Sequence, residues 1–372
     1  MSGRQLLCCV VVIVWPAVAA VACPFCGVVG RSLAQRRDAA AVTAVGESAG
    51  PTARDDAGRL TQPFAVRQAI RGRAAGGDIV AARVGGPVAG MALLFGDAAG
   101  WEAVAADEPL LAHVAAAPPT ADPSARRLAW YAARLEHPDP AIAADAFTEF
   151  GLAPFTAVRD AAESFDADKL QQWIEEPGVD QRRRGFYGLA LGIVAAAETD
   201  PIVRERHLAA LRRVAEAPGT DLRAGFDGVL AGIVVAEGAA GLVSLETRGL
   251  LAAGTRAGDA RHTLAVLRFA WENLGDTVPR KRVADATTRL LANPAVAAEV
   301  AVDLARYQEW SAVDAVAALW EPLGRDDPLV RRAVAGYLAA CPLPAARAHL
   351  DRLRAADPAS LRAALEAAAG PR

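Results

Sequence analysis

The chain has 372 residues, of which 53% are hydrophobic and 22% are charged. That apolar content can bury a large core, and it excludes a chain that is disordered throughout. The formal net charge of −3 lacks the basic excess with which nucleic-acid-binding proteins neutralise phosphates. Nucleic acid is therefore not an expected partner, and the length favours two domains over one.

Residues 1–22 are typical of a secretory signal. Arg4 supplies a positive start, residues 6–14 form an apolar run, and Ala-Val-Ala precedes Cys23 as a cleavage site. The run is short for a transmembrane helix, which needs about 20 residues. Three outcomes stay open: ordinary cleavage before Cys23, acylation of Cys23 as in a lipoprotein, or a retained leader that anchors the chain. All three predict an extracytoplasmic location, periplasmic or secreted, and only the last two make the membrane a partner.

Residues 23–118 have the pattern of a small β-rich module. Turn-forming Gly, Pro and Asp clusters separate short apolar stretches, and the helical period is weak. The pattern predicts a small antiparallel β-barrel or sandwich. The expected strands are residues 40–45, 64–70, 79–84, 88–95 and 101–104.

Residues 122–372 change to the helical period. Several helices are expected to begin at an Asp-Pro pair, because Asp caps the first turn and Pro suits the first helical position. These pairs start at Asp139, Asp200, Asp327 and Asp357.

Recurring helix starts predict an array of repeats. Starts near residues 139, 179, 220, 258 and 294 lie roughly 40 residues apart, which suits two helices per repeat. The stretch from Asp327 to Val334 has the Asp-Pro, Val-Arg and Ala spacing of HEAT repeats. We therefore expect an α+β chain, mostly α, in which an α-solenoid of HEAT-like repeats follows the β-module; the alternative is an ordinary helical bundle.

The mature cysteines are the compact reactive feature of the sequence. Cys23 and Cys26 form a Cys-Pro-Phe-Cys pair, and Cys341 is the third. In an oxidising compartment the pair is expected to form a disulfide, with thiol–disulfide exchange, metal binding or a bond to Cys341 as alternatives. Two thiolates need further ligands to hold a metal ion. The sequence predicts no catalytic residue, no cofactor and no metal-ligand set.

The order of parts resembles an uncharacterised family of exported bacterial proteins, with an Ala-Cys-Pro-x-Cys start, a small β-module and a HEAT-like array. The N-terminal part also distantly resembles netrin-like modules of the OB type. By that resemblance Cys23 would coordinate the metal of a metalloprotease, although the spacing here is Cys-x-x-Cys rather than Cys-x-Cys. The stretches that carry the family resemblance are residues 22–26, 223–225, 303–311 and 341–344.

These observations favour an exported, non-catalytic interaction or scaffold protein that binds protein partners through its helical repeat surface. One alternative is a thiol–disulfide or metal-binding protein that works through Cys23 and Cys26. The other is a lipid-anchored envelope scaffold, which differs only in what is attached to Cys23. The identity of the protein partner does not follow from the sequence.

Overall fold

The β-rich segment closes into a barrel. The computed structural model describes residues 30–176, 178–219 and 223–370, so the leader, Cys23 and Cys26 lie outside the described residues. The strands in the described part are β1 (Val42–Ser48), β2 (Ala53–Arg54), β3 (Leu60–Arg71), β4 (Ile79–Arg83), β5 (Met91–Asp97) and β6 (Gly100–Ala105).

Strand pairing runs β1-β5-β6-β4-β3, and β3 pairs back with β1, so five strands form a closed ring with β2 attached to β3. Each of the five expected strands overlaps one strand of the structure. Of the two predicted architectures, barrel or sandwich, the structure has the barrel. The pairing is antiparallel except between β4 and β6, which run parallel. Phe64, Val66 and Leu94 fill the interior.

Two helices flank the barrel within the segment expected to be β-rich. Helix α1 (Leu33–Ala39) precedes β1, and helix α2 (Glu108–Ala116) follows β6. Leu111 and Val114 of α2 pack on Leu93 and Phe95 of the barrel. Each helix starts at a side-chain cap: Ser32 accepts from the Gln35 amide and Asp107 from the Leu110 amide, a device that satisfies an otherwise free backbone donor.

The rest of the described chain is helical. Its α-helices are α3 (Ser124–Ala132), α4 (Pro140–Leu152), α5 (Phe155–Asp160), α6 (Ala167–Glu175), α7 (Gln181–Ala197), α8 (Pro201–Glu216), α9 (Phe226–Glu237), α10 (Ala239–Thr247), α11 (Ala257–Asn273), α12 (Arg280–Arg289), α13 (Ala297–Arg306), α14 (Val313–Ala317), α15 (Pro328–Ala340), α16 (Pro344–Ala356) and α17 (Pro358–Ala369). Short 3-10 turns lie at Ala162–Ser164, Leu290–Ala292 and Trp310–Ala312.

The four expected Asp-Pro starts are confirmed. Asp139, Asp200, Asp327 and Asp357 each accept a hydrogen bond from an amide of the first turn of α4, α8, α15 and α17. Pro follows each Asp at the start of the helix, where its missing amide hydrogen costs nothing.

The helices stack in two layers. The first layer contains two runs of packed helices, α7 on α9 on α11 and α13 on α15 on α17. The second layer contains three packed pairs, α6 with α8, α10 with α12 and α14 with α16. This confirms an α+β chain, mostly α, with a small barrel followed by a solenoid-like helical array. The spacing is less regular than expected: successive first-layer helices begin 45, 31, 40, 31 and 30 residues apart. The first-layer helices begin at Gln181, Phe226, Ala257, Ala297, Pro328 and Pro358.

Candidate functional site

An apolar groove runs between α13 and α15 on the first layer. Its volume is about 550 Å³, which lies within the range of small-molecule pockets in proteins. Two large aliphatic side chains line it while exposed to solvent: Val302 of α13 is 49% exposed and Leu329 of α15 is 64% exposed. Small residues accompany them, namely Ala298, Ala305, Ala333, Gly336 and Ala368.

Local sequence explains why Leu329 faces outward. Asp327 fixes the start of α15, since its Oδ1 atom accepts from the Leu329 amide at 2.8 Å. From that start, the helical period turns Val330, Val334 and Leu338 into the core. Leu329 falls on the next face, beside the groove.

Three charged residues lie on the rim of the groove, and they differ in whether they form an ion pair. Glu299 lies 3.3 Å from Arg268 of α11, and Arg306 lies 3.0 Å from Glu272 of α11. Arg332 of α15 is exposed and forms no ion pair with any described residue. One uncompensated positive charge therefore borders an apolar trough.

A ladder of ion pairs joins α11 to α13 next to this groove. Arg268 Nε donates to Asp303 Oδ2 at 2.5 Å, and the Trp271 and Tyr307 rings stack with their centroids 3.9 Å apart. Burial raises the pKa of Asp303, and the charges of Arg268 and Arg306 lower it in part. Asp303 and Tyr307 of this ladder lie within residues 303–311, and the contacts of the ladder hold α11 to α13.

Of the three cysteines singled out from sequence, the described residues include Cys341. It ends α15, where its amide donates to the Tyr337 carbonyl at 2.9 Å, and its side chain is buried. Tyr337 lines the groove one turn earlier. Cys23 and Cys26 lie outside the described residues, so the predicted disulfide, redox or metal role of that pair stays a prediction.

A buried polar network ties the barrel to the helical array. Asp145 Oδ1 accepts from the Leu33 amide at 2.6 Å, and Asp145 Oδ2 lies 2.9 Å from His113 Nε2. Glu149 accepts from the Ser32 hydroxyl and pairs with Arg127. Both carboxylates project from α4, whereas their partners come from α1 with its cap, α2 and α3.

The chemistry of this network is that of a structural joint. Ser32 bonds to Glu149 and caps α1, so its hydroxyl is not paired with His113 as a nucleophile would be with its base. Burial raises the pKa of Glu149, and the Ser32 hydrogen bond and the Arg127 charge lower it in part. Asp145 thus bonds to α1 and α2 beside the barrel, and Glu149 bonds to the cap of α1, so both carboxylates join α4 to the barrel end of the chain.

In residues 30–176, 178–219 and 223–370, no group of three or more His, Cys, Asp and Glu side chains is arranged to hold a metal ion. No helix in that part of the chain has both the length and the apolar character needed to cross a membrane.

Sequence reasoning did not identify the groove or the buried network. Leu329 lies in the Asp-Pro stretch that predicts a helix start, and its position off the apolar face of α15 is a signal for an exposed aliphatic residue. Val302 is displaced in the same way from Val300, Ala301 and Leu304, which are buried. The network had no comparable signal, because Ser32 and Glu149 are 117 positions apart.

No family model matches this chain, and no curated protein matches it. Among solved structures, the chain is similar to human deoxyhypusine hydroxylase in complex with glycerol. The two are 18% identical, the alignment covers 66% of this chain and 96% of that chain, and the TM-score is 0.26. A likeness at this TM-score carries no inference about activity.

Proposed function

We propose that this chain is an exported, non-catalytic interaction protein that binds a protein partner through the groove between α13 and α15. The observation that carries the proposal is the exposure of Val302 and Leu329 in a shared apolar groove. Scattered surface aliphatics are ordinary, whereas a contiguous apolar groove rimmed by charge is typical of an interaction site.

The remainder of the array supports a binding role. Stacked helices form an extended surface suited to protein partners, and the groove lies on one layer of that surface. At the junction, Glu149 accepts from Ser32 and Asp145 from Leu33, and these contacts hold α1 to α4.

Site-specific photocrosslinking in the producing cell tests the proposal. A crosslinking amino acid at Val302 is expected to give a discrete adduct with a protein, and Leu329→Asp in the same chain should abolish it. Ile202 of α8 is the matched control, because it is 80% exposed but does not line the groove. The absence of any adduct from Val302, or the same adduct from Ile202, would contradict the proposal.

Export is a separate part of the proposal and has its own test. The intact mass of the purified protein, with and without alkylation, is expected to begin at Cys23. A mass increased by acyl chains would make the protein a lipid-anchored scaffold and would end the redox alternative for Cys23. A chain that retains its leader inside the cell would contradict export. If the mature chain starts at Cys23 without acyl chains, and Cys23 and Cys26 are oxidised, the thiol alternative remains. Exchange of both cysteines for Ser then tests it.

A further inference from the structure

We propose that the groove takes an amphipathic helix of another protein, with apolar residues on one face and a carboxylate beside them that pairs with Arg332. This inference rests on the proposed binding function and specifies the partner of the same site. The shape of the groove, the backbone around it and the charge on its rim each support one element of the proposal.

The shape of the groove suits a helix. Ala298, Val302 and Ala305 form a stripe at helical spacing along α13, and Leu329, Ala333 and Gly336 form a matching stripe along α15. The small residues permit a close approach, while Val302 and Leu329 offer apolar contact. A trough of this kind accepts the apolar face of a helix, which is presented at intervals of three and four residues.

The walls of the groove disfavour an extended peptide. A peptide strand gains much of its affinity from hydrogen bonds to a free sheet edge, and α13 and α15 have their backbone groups bonded within each helix. Proline-rich peptides require grooves lined by aromatic rings. Tyr337, the aromatic residue of this groove, is buried, and its hydroxyl donates to the Glu309 carbonyl at 2.6 Å.

The charged residues on the rim indicate which charge the partner carries. Arg268 and Arg261 lie 3.3 and 4.0 Å from Glu299, and Glu272 compensates Arg306. Arg332 has no such partner among the described residues, and its guanidinium can hold a carboxylate through two parallel hydrogen bonds. An acidic residue next to the apolar face of the incoming helix would supply that carboxylate.

Peptide selection tests this inference with the full chain as the target. Two displayed libraries are used, one of amphipathic helices with randomised polar positions and one of unconstrained linear peptides. Each is selected on the wild-type chain and depleted on Leu329→Asp. Fluorescence anisotropy of the enriched peptides then gives their affinities. Val302→Asp is a second groove variant, and the thermal unfolding of both variants checks that they fold.

The expected result is a set of helical peptides with Asp or Glu at a fixed offset from the apolar residues. Arg332→Glu should weaken them about tenfold, and exchange of the peptide acid for Lys should restore binding to Arg332→Glu. Enrichment of apolar helices without an acidic preference, or of linear peptides, would overturn the inference and leave the binding function standing. Failure to enrich any peptide that distinguishes the wild type from Leu329→Asp would overturn both.

A second copy of this chain is the competing occupant. Sedimentation of the wild-type chain over a range of concentrations is expected to show no dimer that depends on Leu329. A dimer abolished by both Leu329→Asp and Val302→Asp would overturn the inference by assigning the groove to self-association.

Discussion

Two helix pairs of the first layer, α7 with α9 and α13 with α15, both have small residues along the interval between their helices, but they pack differently. Between α7 and α9 the helices meet backbone to backbone along a seam of glycines, comprising Gly185, Gly188 and Gly192 of α7 and Gly228 and Gly232 of α9. Between α13 and α15 small residues line an open groove. One interval is closed by the absence of side chains, whereas the other stays open to solvent.

The seam leaves no room for even one more carbon atom. A Cβ atom at Gly232 would lie 2.2 Å from the Gly188 carbonyl oxygen, and one at Gly228 would lie 1.9 Å from the Gly185 oxygen. At Gly336 in the groove, a Cβ atom would meet the Ala368 Cβ at 3.3 Å. Glycine in a helix costs about 1 kcal/mol relative to Ala, so its concentration in the seam reflects the close approach of two backbones.

The largest effect is expected from closing the space in the seam. Gly232→Ala should lower the free energy of unfolding by roughly 3 kcal/mol, because the backbones of α7 and α9 must separate and overpacking of this kind exceeds the gain in helix propensity. Urea unfolding of the full chain measures the change.

The matched control for the seam is Gly336→Ala, a glycine in the interior of α15. It is expected to change stability by less than about 1 kcal/mol, because the neighbouring Ala368 lies near the end of α17 and the added methyl group improves helix propensity. Equal losses in the two variants would show that the seam and the groove are packed alike, which contradicts the comparison.

An intermediate effect is expected from the ion-pair ladder that separates the two intervals. Arg268→Met removes the hydrogen bond to Asp303 and should cost about 2 kcal/mol at neutral pH, because Asp303 is 1% exposed and its charge loses its main partner. Arg261→Met on the same helix is the control. Arg261 lies 4.0 Å from Glu299 in a solvent-exposed pair, and such pairs contribute less than about 1 kcal/mol.

The pH dependence of this effect has a definite sign. The folded-state pKa of Asp303 is raised above its ordinary value, so its contribution to stability is present at low pH and is lost as pH rises through the folded-state pKa. The positive charge of Arg268 reduces that loss by stabilising the ionised form of Asp303. Removal of Arg268 should therefore lower the free energy of unfolding less below about pH 4 than at pH 7. Urea unfolding at both pH values checks this; an effect of Arg268→Met that is the same at both would mean that Asp303 is not its main partner.

The sequence predicted the elements better than it predicted the site. The stretch expected at residues 79–84 is the strand Ile79–Arg83, and the Asp-Pro pairs mark helix starts because capping is local chemistry. The second layer, the glycine seam and the groove depend on how distant helices meet. The sequence places Leu329 two residues after Asp327, but only the packing of α13 beside α15 makes it one wall of a groove.

The smallest effect on stability, and the sharpest on function, is expected at the groove itself. Leu329→Ser should change the free energy of unfolding by no more than about 0.5 kcal/mol, because a side chain that is 64% exposed contributes little to the core. Val330→Ser, its neighbour, is the control; Val330 is 2% exposed, and a buried hydroxyl without a partner should cost at least 1 kcal/mol more. Paired urea unfolding curves measure both.

If Leu329→Ser proves as costly as Val330→Ser, Leu329 is part of the fold and the groove loses one of its two walls. If it is neutral, the aliphatic side chain at this surface contributes little to the stability of the chain, as the proposed binding role of the groove requires.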